Sequence, residues 1–259
     1  MSSNRAAKAL AQVNRAPVQP TYRTLASVVG GALRLLTKQQ WLGGERIPRI
    51  GGIIVVSNHI SNFDPLVLGH FLIWHGRWPR ALGKIDLWRV PVIGWLARET
   101  GQIPVERHTE RAGNSLILAE EALAAHECVV IYPEGTITAD PDGWPMVARP
   151  GAAKLAFRTG APVIPVAQWG ANEVMPGKKP TWPRLFPRKT MRLLAGEPVD
   201  LSDLAEAADL PSAAAEASVR IMDALTALLV ELRGVPAPVG RYDTRVGRRL
   251  PRDWSGTEG

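Results

Sequence analysis

Residues 53–64 read Ile-Ile-Val-Val-Ser-Asn-His-Ile-Ser-Asn-Phe-Asp. The four apolar residues at the start predict a short strand that is buried on both faces. His59 and Asp64 follow where this strand ends, and open α/β sheets bind their ligands at strand ends. Histidine can accept a proton near neutral pH, and a carboxylate can orient its ring. The stretch therefore predicts a buried strand followed by an acid–base pair.

The dipeptide Asp64-Pro65 predicts the start of the next helix. Aspartate is favoured at the N-cap of a helix, and proline at the first helical position. His59 then lies in the loop between strand and helix, where the chain can bring the carboxylate back to the imidazole. These residues alone allow two interpretations: a catalytic pair, or a capping carboxylate beside a histidine that satisfies main-chain groups.

Strand-like and helix-like segments alternate along the rest of the chain. This order indicates an α/β protein with a largely parallel central sheet flanked by helices, preceded by an amphipathic helical segment suited to a membrane interface. We expect a basic N-terminal segment with a membrane-docking helix, an α/β domain, and a basic tail rich in Pro, Gly and Arg. These parts span residues 1–44, 45–233 and 234–259. The single cysteine, Cys128, excludes an internal disulfide and fits a reducing compartment.

The net charge of +7 is concentrated at the two ends of the chain. No acidic residue precedes Glu45, which implies an anionic partner, either nucleic acid or an acidic membrane surface. Residues 22–41 predict an amphipathic helix with Arg23 and Arg34 opposite its apolar face and Trp41 at its end. The apolar positions are Leu25, Val28, Val29, Ala32, Leu33 and Leu36. Such a helix either lies in a membrane interface or packs on the core as an ordinary surface helix.

Three further segments place suitable residues at the same predicted edge of the sheet. The stretch Tyr132-Pro133-Glu134-Gly135-Thr136 follows the apolar run 128–131, so it leaves a parallel sheet beside His59. Lys84 and Arg107 each end a weak predicted strand, and two cations at one crevice can bind a phosphate. An apolar strand with proline, over residues 161–166, completes the set.

Together and in this order, these segments resemble the glycerolipid acyltransferase family, specifically the 1-acyl-sn-glycerol-3-phosphate (lysophosphatidate) acyltransferases. That family carries an N-H-x4-D block, a block ending in a phosphate-binding arginine, a P-E-G-T block and an apolar block with proline. The corresponding blocks here are Asn58-His59 to Asp64, Gly101 to Arg107, Tyr132 to Thr138, and Val163 to Val166. The resemblance covers about residues 50–200. In the family an arginine and a serine commonly follow the threonine of the third block, whereas this chain has Ile137 and Thr138.

The resemblance implies transfer of a fatty acyl group from a thioester to the sn-2 hydroxyl of lysophosphatidate, which gives phosphatidate in phospholipid biosynthesis. A general base would activate the hydroxyl, a carboxylate would orient that base, and cations would hold the acceptor's phosphate. The residues implied are His59 and Asp64 for proton transfer, Glu134, Gly135 and Thr136 for the oxyanion and the acceptor, Lys84 and Arg107 for the phosphate, and Ile164 and Pro165 for the acyl chain.

The resemblance also implies partners and a location. It implies no metal and no cofactor, with acyl-CoA or acyl-carrier protein as co-substrate. Because a lysophospholipid acceptor resides in the bilayer, it favours the interfacial interpretation of the N-terminal helix. We then expect a peripheral or monotopic protein at an anionic membrane surface, on the cytoplasmic face of the cell membrane.

Three alternatives stay open at this point. The absence of the family arginine at Ile137 allows another phosphate-bearing acceptor, either glycerol 3-phosphate or a phospho-glycolipid. The second alternative is hydrolysis of the thioester without an acceptor, which would give the cations at Lys84 and Arg107 no role. A non-catalytic nucleic-acid-binding protein is suggested only by the basic ends, and the chain carries no helix-turn-helix, zinc finger or aromatic RNA-binding signature. We therefore expect no nucleic-acid partner.

Overall fold

The computed structural model describes residues 10–106, 112–179, 181–205, 207 and 209–251. Its strands are β1 (Lys38–Leu42), β2 (Ile53–Ser57), β3 (Pro79–Lys84), β4 (Ile103–Val105), β5 (Cys128–Ile131), β6 (Val163–Trp169), β7 (Thr190–Ala195), β8 (Arg241–Asp243) and β9 (Arg248–Leu250). Its helices are α1 (Leu10–Val13), α2 (Pro20–Leu36), α3 (Asp64–Trp74), α4 (Pro91–Glu99), α5 (Ala112–Ala124), α6 (Gly151–Thr159), α7 (Ala171–Val174), α8 (Ser202–Ala205) and α9 (Leu210–Arg233).

The described residues form one seven-stranded sheet in the order β1-β7-β6-β2-β5-β3-β4, together with the hairpin β8–β9. Neighbouring strands of the sheet are parallel, except that β6 and β7 are antiparallel. The predicted α/β fold with a largely parallel sheet is therefore confirmed. The carboxyl ends of β2 and β5, which are direct neighbours, lie at the same edge.

Strand β2 is buried on both faces because its apolar residues alternate between two cores. Ile53 and Val55 contact the core formed with α2 and α3, whereas Ile54 and Val56 contact the core formed with α5, α6 and α9. All five residues of the strand are buried. This central position fixes where the residues that follow β2 emerge from the sheet.

The predicted helix over residues 22–41 is shorter in the structure. It spans Pro20–Leu36, and the next residues form strand β1, which pairs with β7. Trp41, expected at the end of an interfacial helix, is instead buried in β1 and makes edge contacts with the rings of His70 and Phe71. The prediction for Trp41 was wrong because a sheet partner distant in sequence overrides the helical pattern.

Helix α2 divides its predicted apolar stripe among three environments. Of the predicted positions, Leu33 packs into the core, Leu25 and Val29 line a cavity, and Val28 is 66% exposed; Leu35, outside the predicted stripe, is 73% exposed. The guanidinium groups opposite the stripe cover tryptophan rings, with Arg23 5.2 Å from the Trp78 ring centre and Arg34 4.9 Å from that of Trp74. The helix thus packs on the core and still exposes an apolar stripe.

Residues on both sides of the expected domain boundaries pack on the α/β domain. Strand β1 precedes the boundary at residue 44 and belongs to the sheet. The hairpin β8–β9, in the segment expected to form a basic tail, buries Asp243 and Leu250. The Tyr242 carbonyl in this hairpin accepts a hydrogen bond from Val147 N. Among the described helices, none combines the length and the hydropathy that crossing a bilayer requires.

Candidate active site

His59 and Asp64 are in direct contact at the carboxyl edge of the sheet. His59 lies in the loop after β2, and its Nδ1 atom is 2.8 Å from Asp64 Oδ2. The His59 side chain is 17% exposed, whereas that of Asp64 is fully buried. Because Nδ1 faces the carboxylate, Nε2 is the ring nitrogen left to face a substrate hydroxyl.

The Asp64 carboxylate holds the loop before its helix as well as the histidine. Asp64 Oδ2 also accepts hydrogen bonds from the main-chain N–H groups of Ile60 at 2.6 Å and Ser61 at 2.8 Å. The expected N-cap position was off by one residue: Phe63 is the N-cap, and Asp64 is the first helical residue. Burial raises the pKa of Asp64, while the hydrogen bonds from His59, Ser61 and Ile60 favour its charged form.

Asn58 and Tyr132 fix the histidine from two further sides. Asn58 exchanges hydrogen bonds with the main chain of Gln168 in β6, at 3.0 Å and 2.9 Å, which extends the pairing of β2 with β6 by one residue. The Tyr132 ring stacks on the His59 ring, with 4.3 Å between centres. The imidazole is therefore held by a carboxylate at one nitrogen and by an aromatic face.

Glu134 contacts the main chain of the active-site loops. Its Oε1 accepts from His59 N at 3.0 Å, and its Oε2 accepts from Met146 N at 3.1 Å. The residue is buried, and burial raises the pKa of its carboxyl to about 8 although both hydrogen bonds lower it. The sequence assigned Glu134 to the acceptor, whereas both oxygens in the structure already accept from the protein.

Gly135 and Thr136 lie at the edge of the active site, as the sequence predicts. Gly135 has a φ of +70°, and its N–H donates to the Tyr132 carbonyl at 2.9 Å. The sequence analysis assigned Gly135 to the oxyanion or the acceptor, and the turn already uses its N–H. Thr136 lines the adjoining cavity, so its role at the acceptor stays a prediction.

A cavity of about 850 Å³ opens beside His59. Its wall is mostly apolar and comes from α2, α3, β3 and α4, together with the 3₁₀ turn Ile85–Arg89. The apolar side chains on this wall include Leu25, Val29, Leu87, Trp88, Ile93 and Leu96. A volume of this size, with a mostly apolar wall beside the His59 imidazole, suits a lipid chain whose head reacts at that histidine.

The predicted phosphate ligands are only partly described. Lys84 lines the cavity and forms an ion pair with Asp86. Arg107 lies outside the described residues, and Glu106 before it lines the cavity.

The predicted acyl-chain residues lie elsewhere: Ile164 is fully buried in β6, and neither it nor Pro165 belongs to the cavity wall. The sequence placed the acyl chain beside β6, whereas the apolar cavity lies on the side of α2, α3 and α4.

Arg149 is a cavity residue that the sequence analysis missed. Its side chain crosses Gly135, where an added Cβ would lie 2.9 Å from Arg149 Nε. It stands just before helix α6, whose first residues, Gly151 and Ala152, also line the cavity. A guanidinium beside a helix N-terminus is a favourable setting for an anion. The sequence signal was an arginine directly before the Pro150-Gly151 helix start.

A metal site would need several metal-binding side chains grouped together. Across the portion of the chain that the structure describes, no three His, Cys, Asp or Glu side chains are grouped so that they could hold a metal ion. The polar groups around His59 are instead a carboxylate, main-chain amides and cations.

The fold and this site define an α/β protein with a His–Asp pair at the mouth of an apolar cavity. A family model described as "Acyltransferase" matches residues 40–169, which span both loops of the site. The chain therefore belongs to the acyltransferase family.

Individual relatives agree with this assignment. The chain is 30% identical over 136 residues to a 1-acyl-sn-glycerol-3-phosphate acyltransferase of Borreliella burgdorferi, a match that covers 50% of each protein. It is 28% identical over 169 residues to the protein of that name in Bacillus subtilis, covering 65% of this chain and 75% of the relative. The chain thus spans only half the length of the Borreliella relative.

A solved structure shares the fold. The 1-acyl-sn-glycerophosphate (LPA) acyltransferase of Thermotoga maritima superposes with a TM-score of 0.61 and 23% identity, covering 80% of this chain and 79% of that one. At this identity the likeness concerns the fold.

Proposed function

We propose that the chain transfers a fatty acyl group from an acyl thioester to the sn-2 hydroxyl of lysophosphatidate, which yields phosphatidate. One observation carries the proposal: His59, paired with Asp64, lines an apolar cavity whose wall also includes Arg149 and Lys84. The lysophosphatidate acceptor offers a hydroxyl and a phosphate, and the thioester donor offers an acyl chain, so each of these features meets one group of the two substrates. The names of the Borreliella and Bacillus relatives support the same substrate.

In the proposed reaction, His59 Nε2 takes the proton of the acceptor hydroxyl while the hydroxyl oxygen attacks the thioester carbonyl carbon. The tetrahedral intermediate then collapses, the carbon–sulfur bond breaks, and the imidazolium returns the proton to the leaving thiolate. Asp64 orients the ring and stabilises its charged form, as the carboxylate does in a serine-protease triad. General-base assistance of this kind accounts for about 10²–10⁴-fold in rate.

Arg149, the N-terminus of α6 and Lys84 are proposed to hold the acceptor's phosphate. Each lies on the cavity wall, and Arg149 crosses the glycine of the third sequence block. Ile137, where the family has an arginine, is buried beside them. Arg149 therefore brings a guanidinium to a block that lacks one in its own sequence. Arg107 stays a predicted ligand of the same phosphate.

The donor and the location belong to the same proposal. The thioester is acyl-CoA or acyl-carrier protein, and no metal or other cofactor takes part. We propose that the protein docks as a peripheral or monotopic protein at the cytoplasmic face of the cell membrane. The apolar side chains exposed around the cavity support docking, and they are Val28, Leu35, Leu87, Val90, Val92, Ile93 and Trp95.

The test is acyl transfer from labelled acyl-CoA to lysophosphatidate by the parent, His59→Ala and Asp64→Asn. His126→Asn is the matched control, because His126 is exposed, precedes β5 at the opposite sheet edge, and has a φ of 62° that asparagine tolerates. We expect both site variants to lose about 10²–10⁴-fold in kcat and the control to match the parent. Full activity of His59→Ala would refute the proposed base.

A second acceptor is favoured by one observation, the buried Ile137 in place of the family arginine. Glycerol 3-phosphate or a phospho-glycolipid presents the same hydroxyl and phosphate with a different body. Comparing the acceptors with one acyl-CoA donor separates the candidates. A higher kcat/KM for glycerol 3-phosphate than for lysophosphatidate would replace the first proposal with this one.

A further inference from the structure

The segment between α7 and β7 exposes two large aromatic side chains. Trp182 is 93% exposed and Phe186 is 75% exposed. Single exposed apolar residues are ordinary, but two large aromatic side chains exposed on one short segment call for an explanation. Burying them would require a partner.

The same segment is strongly basic. Six cations and no carboxylate occur between Glu173 and Glu197. Lys178, Lys179 and Arg184 are exposed. A surface of cations and aromatic rings complements anions that border an apolar phase.

Described residues near the start, the middle and the end of the segment are hydrogen-bonded to the rest of the protein. Near its start, Ser61 Oγ donates to Met175 O at 2.8 Å, and Asn62 Nδ2 donates to Lys178 O at 3.2 Å. Midway, Arg184 N donates to the Val174 carbonyl at 2.9 Å. The start of the segment is therefore hydrogen-bonded to the loop that carries His59.

The other end of the segment is tied to helix α2. Arg188 Nη2 donates to the carbonyls of Arg34 at 2.7 Å and Thr37 at 2.6 Å, at the C-terminal end of that helix. Leu35, beside Arg34, is exposed. This end of the segment is thus joined to the C-terminal end of α2, which exposes Leu35, whereas Lys178 at the other end of the segment lines the cavity.

We propose that residues 177–179 and 181–189 form a basic–aromatic anchor that binds an anionic bilayer and seats the cavity on the lipid surface. Trp182 and Phe186 enter the interface while Lys179 and Arg184 contact anionic headgroups. The N-terminal helix was expected to supply this charge, but its arginines cover tryptophan rings. The anchor rests on the proposed function, because a lipid acceptor is what brings the cavity to a bilayer.

A bilayer fits this surface better than a nucleic acid does. Stacking aromatics and cations also suit a single strand. Here, however, the segment is joined to the end of α2, whose exposed side chains Val28 and Leu35 offer no ring to a base and are suited to acyl chains.

The insertion test uses a fluorescent label in the full chain. Cys128 is the one cysteine and is buried, and burial raises its pKa to about 12, so Trp182→Cys can be labelled selectively with an environment-sensitive dye. The control is Ile50→Cys, because Ile50 is 87% exposed before β2 at the opposite sheet edge. Vesicles of phosphatidylcholine with phosphatidylglycerol should shift the emission at 182 to the blue and leave that at 50 unchanged. No shift at 182, equal shifts at both sites, or a shift with single-stranded DNA but not with vesicles would overturn the anchor.

The charge test compares two double variants of equal net charge. Lys179→Gln with Arg184→Gln should weaken binding to the anionic vesicles by about 25-fold, since each cation near such a surface contributes about fivefold. Lys154→Gln with Arg248→Gln, two exposed cations outside the segment, should bind as the parent does. Equal binding by the two double variants would overturn the anchor.

Acyl transfer to a monomeric, short-chain lysophosphatidate separates this inference from the proposed function. The Lys179/Arg184 variant should keep the parent's kcat/KM with that acceptor and lose rate only with vesicle-borne acceptor. Equal losses on both acceptors would overturn the anchor. Absence of transfer by the parent would refute the proposed function, and the two vesicle tests would still decide the anchor.

Discussion

Glu134 Oε1 accepts a hydrogen bond from the main-chain N–H of His59 at 3.0 Å. The carbonyl of the same histidine accepts from Thr138 N at 2.7 Å, so the segment after β5 holds both main-chain groups of His59. The loop after β2 and the loop after β5 are thereby locked together. Glu134 acts here as a positioning residue for the proposed base, whereas the sequence suggested contact with the acceptor.

Replacing Glu134 by Gln should change how stability depends on pH. The folded-state pKa of about 8 exceeds the ordinary 4.5, so the proton on Glu134 contributes stability that is fully present below pH 4.5 and is lost as pH rises towards 8. Glu134→Gln removes this titration. As pH rises from 4.5 to 8, we expect the free energy of unfolding of the parent to fall relative to that of the variant. Urea denaturation at these two pH values measures the change. Parallel stability curves for the two proteins would contradict the assignment.

Replacing Arg249 should destabilise the loop that leads from Asp140 to Met146 in the active site. Arg249 makes two hydrogen bonds to the buried Asp140, at 2.6 Å and 2.8 Å, and Asp140 Oδ1 accepts from Trp144 N at 3.2 Å within the loop that leads to Met146. Although burial raises the pKa of Asp140, the hydrogen bonds from Arg249 and the main chain hold it below its usual value. Arg249→Gln should therefore lower the free energy of unfolding by about 1–3 kcal/mol and reduce kcat.

The control for that variant is Arg248→Gln, which removes the same charge from the next residue, whose side chain is exposed. Urea denaturation and steady-state kinetics of both variants give the comparison. If the two variants lose the same stability and activity, the hairpin does not support the loop.

Replacing Arg149 by Gln should weaken binding of the acceptor. The loss of charge-assisted hydrogen bonds to a phosphate should raise KM for lysophosphatidate about tenfold and leave KM for acyl-CoA near the parent value. Lys154→Gln is the matched control, since Lys154 is an exposed cation in the adjoining helix and faces a different cavity. A raised KM for acyl-CoA alone would assign Arg149 to the phosphates of the donor instead.

The sequence predicted the sheet and the His59–Asp64 pair because both depend on short-range patterns. Strand β2 is an unbroken apolar run, and a loop of four residues separates the histidine from the carboxylate. The position of Arg149 depends on a long turn without regular structure that returns over Gly135, and no periodicity marks such a turn. The acyl-chain prediction at Ile164 and Pro165 differs from the structure for a related reason: residues on adjacent strands of a sheet can face opposite layers, and only the packing of α2, α3 and α4 shows where the cavity lies.

The cavity makes a prediction about acyl-chain length through Gly69 in α3. Gly69 lines the cavity, and a Cβ added there meets no atom within 4 Å, so Gly69→Leu places its side chain in open space. Each methylene of acyl chain that the new side chain excludes costs about 0.8 kcal/mol of burial, or roughly fourfold in affinity. The ratio of kcat/KM for palmitoyl-CoA to that for decanoyl-CoA should therefore fall by about tenfold or more.

Gly31→Leu in α2 is the matched control. A Cβ added at Gly31 also meets nothing within 4 Å, but Gly31 lies off the cavity wall. Both substitutions favour their helix by up to about 1 kcal/mol. The control should keep the parent's ratio, and an unchanged ratio in Gly69→Leu would mean that the acyl chain does not occupy this cavity.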